Sequence, residues 1–244
     1  MGQVNLIANT DAKSPVSEAY RTIRTNIEFS KISGKALKVI LMTSALPSEG
    51  KSTTIGNLAV VMAQAGKKVV LVDCDFRKPT VHKRFKVENK GISNCVASGL
   101  SLEEVTVATE VEGMYVIPSG PIAPNPSELL ASERMGELVS ELAANYDYVL
   151  LDAPPIIPVT DAAVLSRKVD GVILLLASGE VSPQIAKEAK TRLEQAGAHI
   201  LGVVLNKVDI GGNNNKYSYY YYYGNEDGSG SRHRHHRHHS ESQE

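Results

Sequence analysis

The chain has 244 residues, 42% of them hydrophobic, and a formal net charge of −1. That is enough apolar material for one large α/β domain or two small ones, with no charge excess to draw the chain to nucleic acid or anionic lipid. Two cysteines, Cys74 and Cys95, make no disulfide framework, and Met1 to Lys13 is too polar for a signal peptide. A reducing cytoplasm is therefore the expected compartment.

In chain order, residues 1–13 are expected to be a flexible lead. Ser14-Pro15 opens a helix, with a hydroxyl cap and proline at the first position. Ala19, Ile23 and Ile27 recur every four residues as its apolar stripe, and Glu18, Arg21 and Arg24 share another sector. A solvated face with one intrahelical ion pair, worth about 0.3–0.5 kcal/mol, accounts for that triad; a subunit contact is the functional alternative. Lys38 to Thr43 reads as a short buried strand, and Thr54 to Ala65 continues as a helix.

Between them, Ala45-Leu46-Pro47-Ser48-Glu49-Gly50-Lys51-Ser52-Thr53 has the spacing of a phosphate-binding loop, with Ala45 in place of the usual first glycine. Backbone N–H groups of Ser48 to Thr53 and the following helix N-terminus are expected to cradle phosphates. Lys51 would reach the β- and γ-phosphates, and Ser52 would ligate Mg²⁺. Val69 to Val72 is a second buried strand, and its carboxyl end carries Asp73 and Asp75, positioned to meet a metal and a reacting hydroxyl, or else a solvated loop.

Residues 80–113 alternate short helical and loop signals. Met114 to Ile117 is a strand, Gly120 to Pro126 a rigid loop, and Asn125-Pro126-Ser127-Glu128 a capping box before a helix that Arg134 to Ala144 continue. The strand Asp147 to Asp152 ends in the carboxylate expected to hold Mg²⁺ opposite a phosphate loop. Thr160 to Lys168 and Ser182 to Gln195 are helical, and Val172 to Ala177 and Ile200 to Leu205 are strands. This alternation predicts an α/β fold with a doubly wound, mostly parallel sheet, like that of P-loop NTPases.

The last strand ends in Asn206-Lys207-Val208-Asp209, a pattern resembling the guanine-reading loop of GTPases; Asn206 is expected at a base edge, and an ordinary turn is the alternative. Beyond it, six of the ten tyrosines of the chain fall within Tyr217 to Tyr223, followed by a His/Arg run at 233–239. Residues 211–244 are expected to be a disordered tyrosine-rich and His/Arg-containing tail, leaving 14–210 as the folded domain. The His/Arg run reads as a tag or solvated bystander more readily than as a metal, nucleic-acid or lipid site.

From about residue 14 to 223 the sequence resembles the bacterial tyrosine kinases of capsular and exopolysaccharide biosynthesis. The resemblance rests on the Ala45 to Thr53 loop, Asp73-x-Asp75, the strand ending in Asp152, Glu18-x-x-Arg21-x-x-Arg24, and the tyrosine cluster. It implies an ATP- and Mg²⁺-dependent kinase that autophosphorylates Tyr217, Tyr219, Tyr220, Tyr221, Tyr222 and Tyr223 in trans. It further implies a ring-like homo-oligomer with Glu18, Arg21 and Arg24 in the subunit contacts, a membrane adaptor that activates the kinase and recruits it to the inner face of the cell membrane, a cognate phosphotyrosine phosphatase, and protein substrates of polysaccharide synthesis. No specific nucleic acid is expected.

In this reading Lys51 and Asp73 are catalytic, Asp73 as the base, while Ser52, Asp75 and Asp152 hold the metal. Relatives that position proteins or segregate DNA carry a second lysine where this chain has Leu46. The alternatives are an NTPase switch, using ATP or GTP without kinase activity, and a scaffold phosphorylated by another kinase.

Overall fold

Apolar runs too short for helices become strands, the central ones buried on both faces because helices cover each side of the sheet there, while the last, Ile200–Asn206, leaves Val203 and Leu205 exposed. The computed structural model describes residues 1–32 and 35–209. A short antiparallel hairpin, β1 (Lys31–Ile32) and β2 (Lys35–Ala36), stands apart from the main sheet. That sheet contains β3 (Val39–Ser44), β4 (Val69–Asp73), β5 (Val107–Ala108), β6 (Met114–Ile117), β7 (Tyr148–Asp152), β8 (Gly171–Ala177) and β9 (Ile200–Asn206), in the order β5-β6-β4-β7-β3-β8-β9. All neighbours are parallel except β5 and β6. The doubly wound, mostly parallel sheet expected from the alternation of strands and helices is therefore present. The two-residue strands β1, β2 and β5 were not anticipated, since they are too short to carry a periodic signal.

Alternate strand residues feed two cores. Val39 and Leu41 join one with the helices Glu133–Asn145 and Pro183–Gln195; Ile40 and Met42 join the other with the helix that follows the phosphate loop. Parallel pairing of β4, β7 and β3 puts their carboxyl ends side by side, the edge where open α/β sheets bind ligands. Among the described residues, no helix is long and apolar enough to cross a membrane.

The amino-terminal segment is packed rather than a flexible lead. Val4, Leu6 and Ala8 are buried, and Gly2 bridges to Thr109 beside β5. A short helix, α1 (Ile7–Thr10), follows. Ala8 N–H donates to Asn57 Oδ1 at 2.9 Å, and Gln64 Nε2 donates to the Ala8 carbonyl at 3.1 Å. The polar look of this segment conceals an apolar residue at every second position, each meeting a partner about fifty or more residues away.

Helix α2 (Pro15–Phe29) starts where expected, with Ser14 as its cap and Pro15 first. Its buried stripe runs through Ser17, Tyr20 and Ile27, with Ile23 half-buried, while Ala19 is exposed. A strict four-residue repeat drifts about 40° per step around a helix of 3.6 residues per turn, which carries Ala19 off the buried face. Helix α3 (Lys51–Gln64) is buried nearly all round, as expected for a helix enclosed between sheet, α1 and α2. Gly56 gives Leu6 its place there: a Cβ would lie 3.0 Å from Leu6 Cδ1.

Leu6→Ala is therefore expected to destabilise the protein by about 2–5 kcal/mol, the range for truncating a buried leucine. Urea denaturation measures it; a change under about 0.5 kcal/mol would restore the flexible lead.

Candidate functional site

The phosphate loop joins the buried end of β3 to α3. Gly50 caps the helix at φ +99° without a side-chain hydrogen bond, so the first N–H groups of α3 keep no capping partner and face the loop. A Cβ on Gly50 would lie 2.3 Å from Asn206 Nδ2, so both the backbone angle and the neighbouring amide require glycine. Lys51 is the first helical residue and is buried; Ser52 and Thr53 are half-buried.

Glu49 was expected among the nucleotide contacts, but its side chain faces inward. The carboxylate is 1% exposed and accepts from Leu46 N–H at 2.5 Å and from Ala177 N–H, at the end of β8, at 2.7 Å. What Glu49 offers a ligand is its backbone. Asn206, expected at a base edge, donates through Nδ2 to the Glu49 carbonyl at 2.8 Å. Lys207 Nζ donates to the Ser48 carbonyl at 3.0 Å and to both carboxylate oxygens of Glu180 at 2.9 and 2.8 Å. The signal for this lay in the Asn206-Lys207 pair itself, which sequence reasoning assigned to the base rather than the loop.

The three acids lie at the same edge, and Asp73 and Asp152 are direct register partners on β4 and β7. Asp73 is fully buried; its Oδ1 accepts from Asp75 N–H at 3.1 Å, and its Oδ2 accepts from Thr80 and Val81 N–H, both at 2.9 Å. Burial, reinforced by the charge of Asp152, raises its proton affinity above the ordinary carboxylate range, although these three N–H bonds oppose the shift. Asp152 is also raised by burial, partly offset by the Lys51 ammonium and then by the Ser52 hydroxyl. Among the described residues neither Asp152 oxygen accepts a well-formed hydrogen bond; the Ser52 hydroxyl lies near enough to act on its charge without closing one. Asp75 is half-buried and accepts through Oδ1 from Arg77 and Lys78 N–H at 3.2 and 2.9 Å, while Cys74 between the acids is buried in the core.

An unpaired buried carboxylate beside a hydroxyl suits Mg²⁺, which takes one or two carboxylates and completes its shell with water and phosphate oxygens. Among the described residues there is no preformed cage of three or more His, Cys, Asp or Glu side chains.

One group escaped sequence reasoning. Arg77 Nε and Nη2 donate to Asp161 Oδ2 and Oδ1 at 2.8 and 2.9 Å, and Ser127 Oγ donates to Oδ1 at 2.7 Å. Residues from three separate segments thus anchor the loop that carries Asp75, and no local pattern links them.

The α2 triad lies away from this edge. Arg21 pairs with Glu18 at 2.8 Å and donates to the Ala12 carbonyl at 2.5 Å. Arg24 Nη1 donates to the Val61 carbonyl, near the end of α3, at 3.1 Å. Tyr217, Tyr219, Tyr220, Tyr221, Tyr222, Tyr223 and the His/Arg run lie outside the described residues.

A family model described as an AAA domain matches residues 37–185. Over 205 residues the chain is 47% identical to tyrosine-protein kinase YwqD of Bacillus subtilis (strain 168), an alignment covering 84% of this chain and 86% of that protein. Among solved structures, the chimerical protein CapA2B2 superposes with a TM-score of 0.80 at 40% identity, covering 85% of this chain and 93% of that one. The kinase domain of Escherichia coli tyrosine kinase ETK superposes with a TM-score of 0.81 at 34% identity, covering 85% and 82%.

Because the folded protein binds protons at Asp73 and Asp152 more tightly than the unfolded chain, stability without ligands falls as pH rises from the ordinary carboxylate range towards neutrality. Asp152→Asn is expected to raise the nucleotide-free melting temperature by a few degrees at neutral pH, with the gain vanishing at low pH, and to lose the stabilisation that Mg·ATP gives the natural protein. Thermal unfolding with and without Mg·ATP checks both; a variant no more stable than the natural protein without nucleotide contradicts this account of the buried charge.

Proposed function

Because the chain belongs to the bacterial tyrosine-protein kinases, we propose that its phosphate loop and buried acids transfer the γ-phosphoryl group of Mg·ATP to the tyrosines of its own carboxyl-terminal cluster. The observation that carries this reading is the unpartnered Asp152 carboxylate, influenced by Lys51 and Ser52 and in register with Asp73. The kinase names of the relatives favour transfer to a phenol over a switch that only hydrolyses its nucleotide.

In this mechanism the N–H groups of the loop and the start of α3 bind the phosphate chain, and Lys51 neutralises charge on the transferring group. Ser52 and Asp152, with Asp75, would hold Mg²⁺, which would offset the negative charge developing on the phosphate chain. The tyrosine oxygen attacks the γ-phosphorus as the bond to the β-phosphate oxygen breaks. ADP leaves with that bond's electron pair, and the phenol proton passes to Asp73. Raised proton affinity suits Asp73 to the task. A carboxylate has about four acceptor positions, and three of those of Asp73 are taken by backbone N–H groups.

Around this core we place the same partners as the family resemblance does: a homo-oligomer contacting through Glu18, Arg21 and Arg24, phosphorylation in trans at Tyr217 and Tyr219 to Tyr223, a membrane adaptor that recruits the kinase to the inner face of the membrane, an opposing phosphatase, and protein substrates in capsular or exopolysaccharide synthesis. Of these, the CapA2B2 chimera supports the adaptor.

Incubating the purified chain with Mg·ATP or Mg·GTP, alone and with an adaptor-tail peptide, and comparing phosphotyrosine with free phosphate tests the reading. Phosphate release without phosphotyrosine under every condition would favour the switch. Lys51→Ala is expected to abolish transfer, and Asp73→Asn to slow it by about 10²–10⁴, the usual contribution of a general base, while sparing nucleotide affinity. If Asp73→Asn weakens nucleotide binding as much as turnover, Asp73 is an anchor of the 73–81 loop and not the base.

Each phosphate adds about −1.5 to −2 charges, so a phosphorylated cluster repels its neighbours and is expected to loosen the oligomer. Light scattering before and after phosphatase treatment reads the change, and an unaltered mass refutes it.

A further inference from the structure

We infer that Asn206 and Lys207 are positioning residues of the phosphate loop, holding the carbonyls of Glu49 and Ser48 so that the next two N–H groups face the phosphate chain of a nucleotide. This rests on the nucleotide-binding reading above and adds to it the parts that set the shape of the cradle.

In a planar trans peptide the C=O and the following N–H point in opposite directions. A donor that fixes one carbonyl therefore also aims the next N–H. Lys207 Nζ on the Ser48 carbonyl at 3.0 Å sets the N–H of Glu49, and Asn206 Nδ2 on the Glu49 carbonyl at 2.8 Å sets the N–H of Gly50. Both carbonyls are drawn to the end of β9, so both N–H groups turn away from it.

The backbone angles agree. Among the described residues only Ser48, Lys86 and Lys207 are non-glycine residues with positive φ, and Ser48 at +66° and Lys207 at +56° are bonded to each other through the Nζ contact. Gly50 adds a third positive φ, +99°, at the same place. Left-handed residues in such a turn bring successive N–H groups to one side, forming an anion-binding concavity. Their strain, about 1–2 kcal/mol for each non-glycine residue, persists only where the surroundings impose it.

Two further contacts stiffen the arrangement. Glu180 accepts from Lys207 Nζ at 2.9 and 2.8 Å, fixing the ammonium from the far side. Glu49 closes the loop onto the end of β8 through the Ala177 N–H at 2.7 Å. The loop is thereby held from the carboxyl ends of both strands beyond β3 on that side of the sheet. The Asn-Lys pair that resembles a base-reading motif serves here to shape the loop.

The test compares Lys207→Ala, Asn206→Ala and Lys207→Arg with the natural chain. Mg·ADP affinity is measured by calorimetry, and KM and kcat with ATP and a tyrosine peptide by phosphotyrosine formation. The Lys207 side chain is 39% exposed, so its alanine variant folds, and a melting curve verifies this. Lys207→Ala is expected to bind Mg·ADP at least about tenfold more weakly, the scale of a lost charge-assisted hydrogen bond, and Asn206→Ala about fivefold more weakly, the scale of a neutral one. KM for ATP should rise in step while KM for the peptide stays unchanged, and Lys207→Arg should recover most of the affinity. A role in general stability would lower kcat or the melting temperature without this nucleotide-specific split. Folded alanine variants that bind Mg·ADP like the natural chain overturn the inference alone; a natural chain that does not bind Mg·ADP overturns the nucleotide reading with it.

Discussion

At the buried end of β7, Asp152 carries a carboxylate with neither oxygen hydrogen-bonded among the described residues, and the surrounding structure can be understood from that constraint. A buried charge without partners is strongly unfavourable unless it is neutralised or ligated. The fold places Lys51 and Ser52 near it and Asp73 in register on the next strand, which moderates the charge without satisfying either oxygen. Backbone hydrogen bonds therefore secure the site at its margins, through Asp73, Asp75 and Glu49, while its centre remains open to a ligand bringing its own positive charge and oxygen donors. Such an edge sacrifices stability in the free protein for affinity in the bound one.

The parts of the fold legible in the sequence were those written locally. The runs Lys38 to Thr43, Val69 to Val72 and Asp147 to Asp152 could only be buried strands, and Gly50-Lys51-Ser52 marked the turn into α3. Asp73 and Asp152 could be placed together because parallel strands with right-handed crossovers bring their carboxyl ends to one edge. The rest depends on partners distant in sequence. Val4, Leu6 and Ala8 are held by residues on α3 and beside β5; Arg77 meets Asp161 and Ser127 across three segments. Side-chain direction was the other blind spot. A glutamate within a phosphate loop is as compatible with facing the ligand as with bracing the loop, and only the nearby Leu46 and Ala177 N–H groups decide for bracing.

Helix α3 links the two regions that the sequence picked out separately. Its amino end forms the cradle, while Asn57 along its length accepts from Ala8 of α1, and the Val61 carbonyl near its other end receives Arg24 of α2. The charged triad of α2 is therefore not a free fringe of side chains: Arg21 and Arg24 each already bond to backbone of the same chain. Any contact they make with a second subunit engages residues bonded to α3 or to the chain that leads into α2.

Gly50 and Asn206 touch across 156 positions of sequence, and the space between them has no room for even a methyl group. The span matched by the family model, 37–185, contains Gly50, Lys51 and all three acids but ends before β9. A fragment trimmed to that span would retain the phosphate loop and the three acids while losing the amide and ammonium bonded to the loop, together with the N-terminal packing on α3. The packed unit is thus bounded by contacts and not by motifs: among the described residues those contacts reach from Gly2 to Lys207.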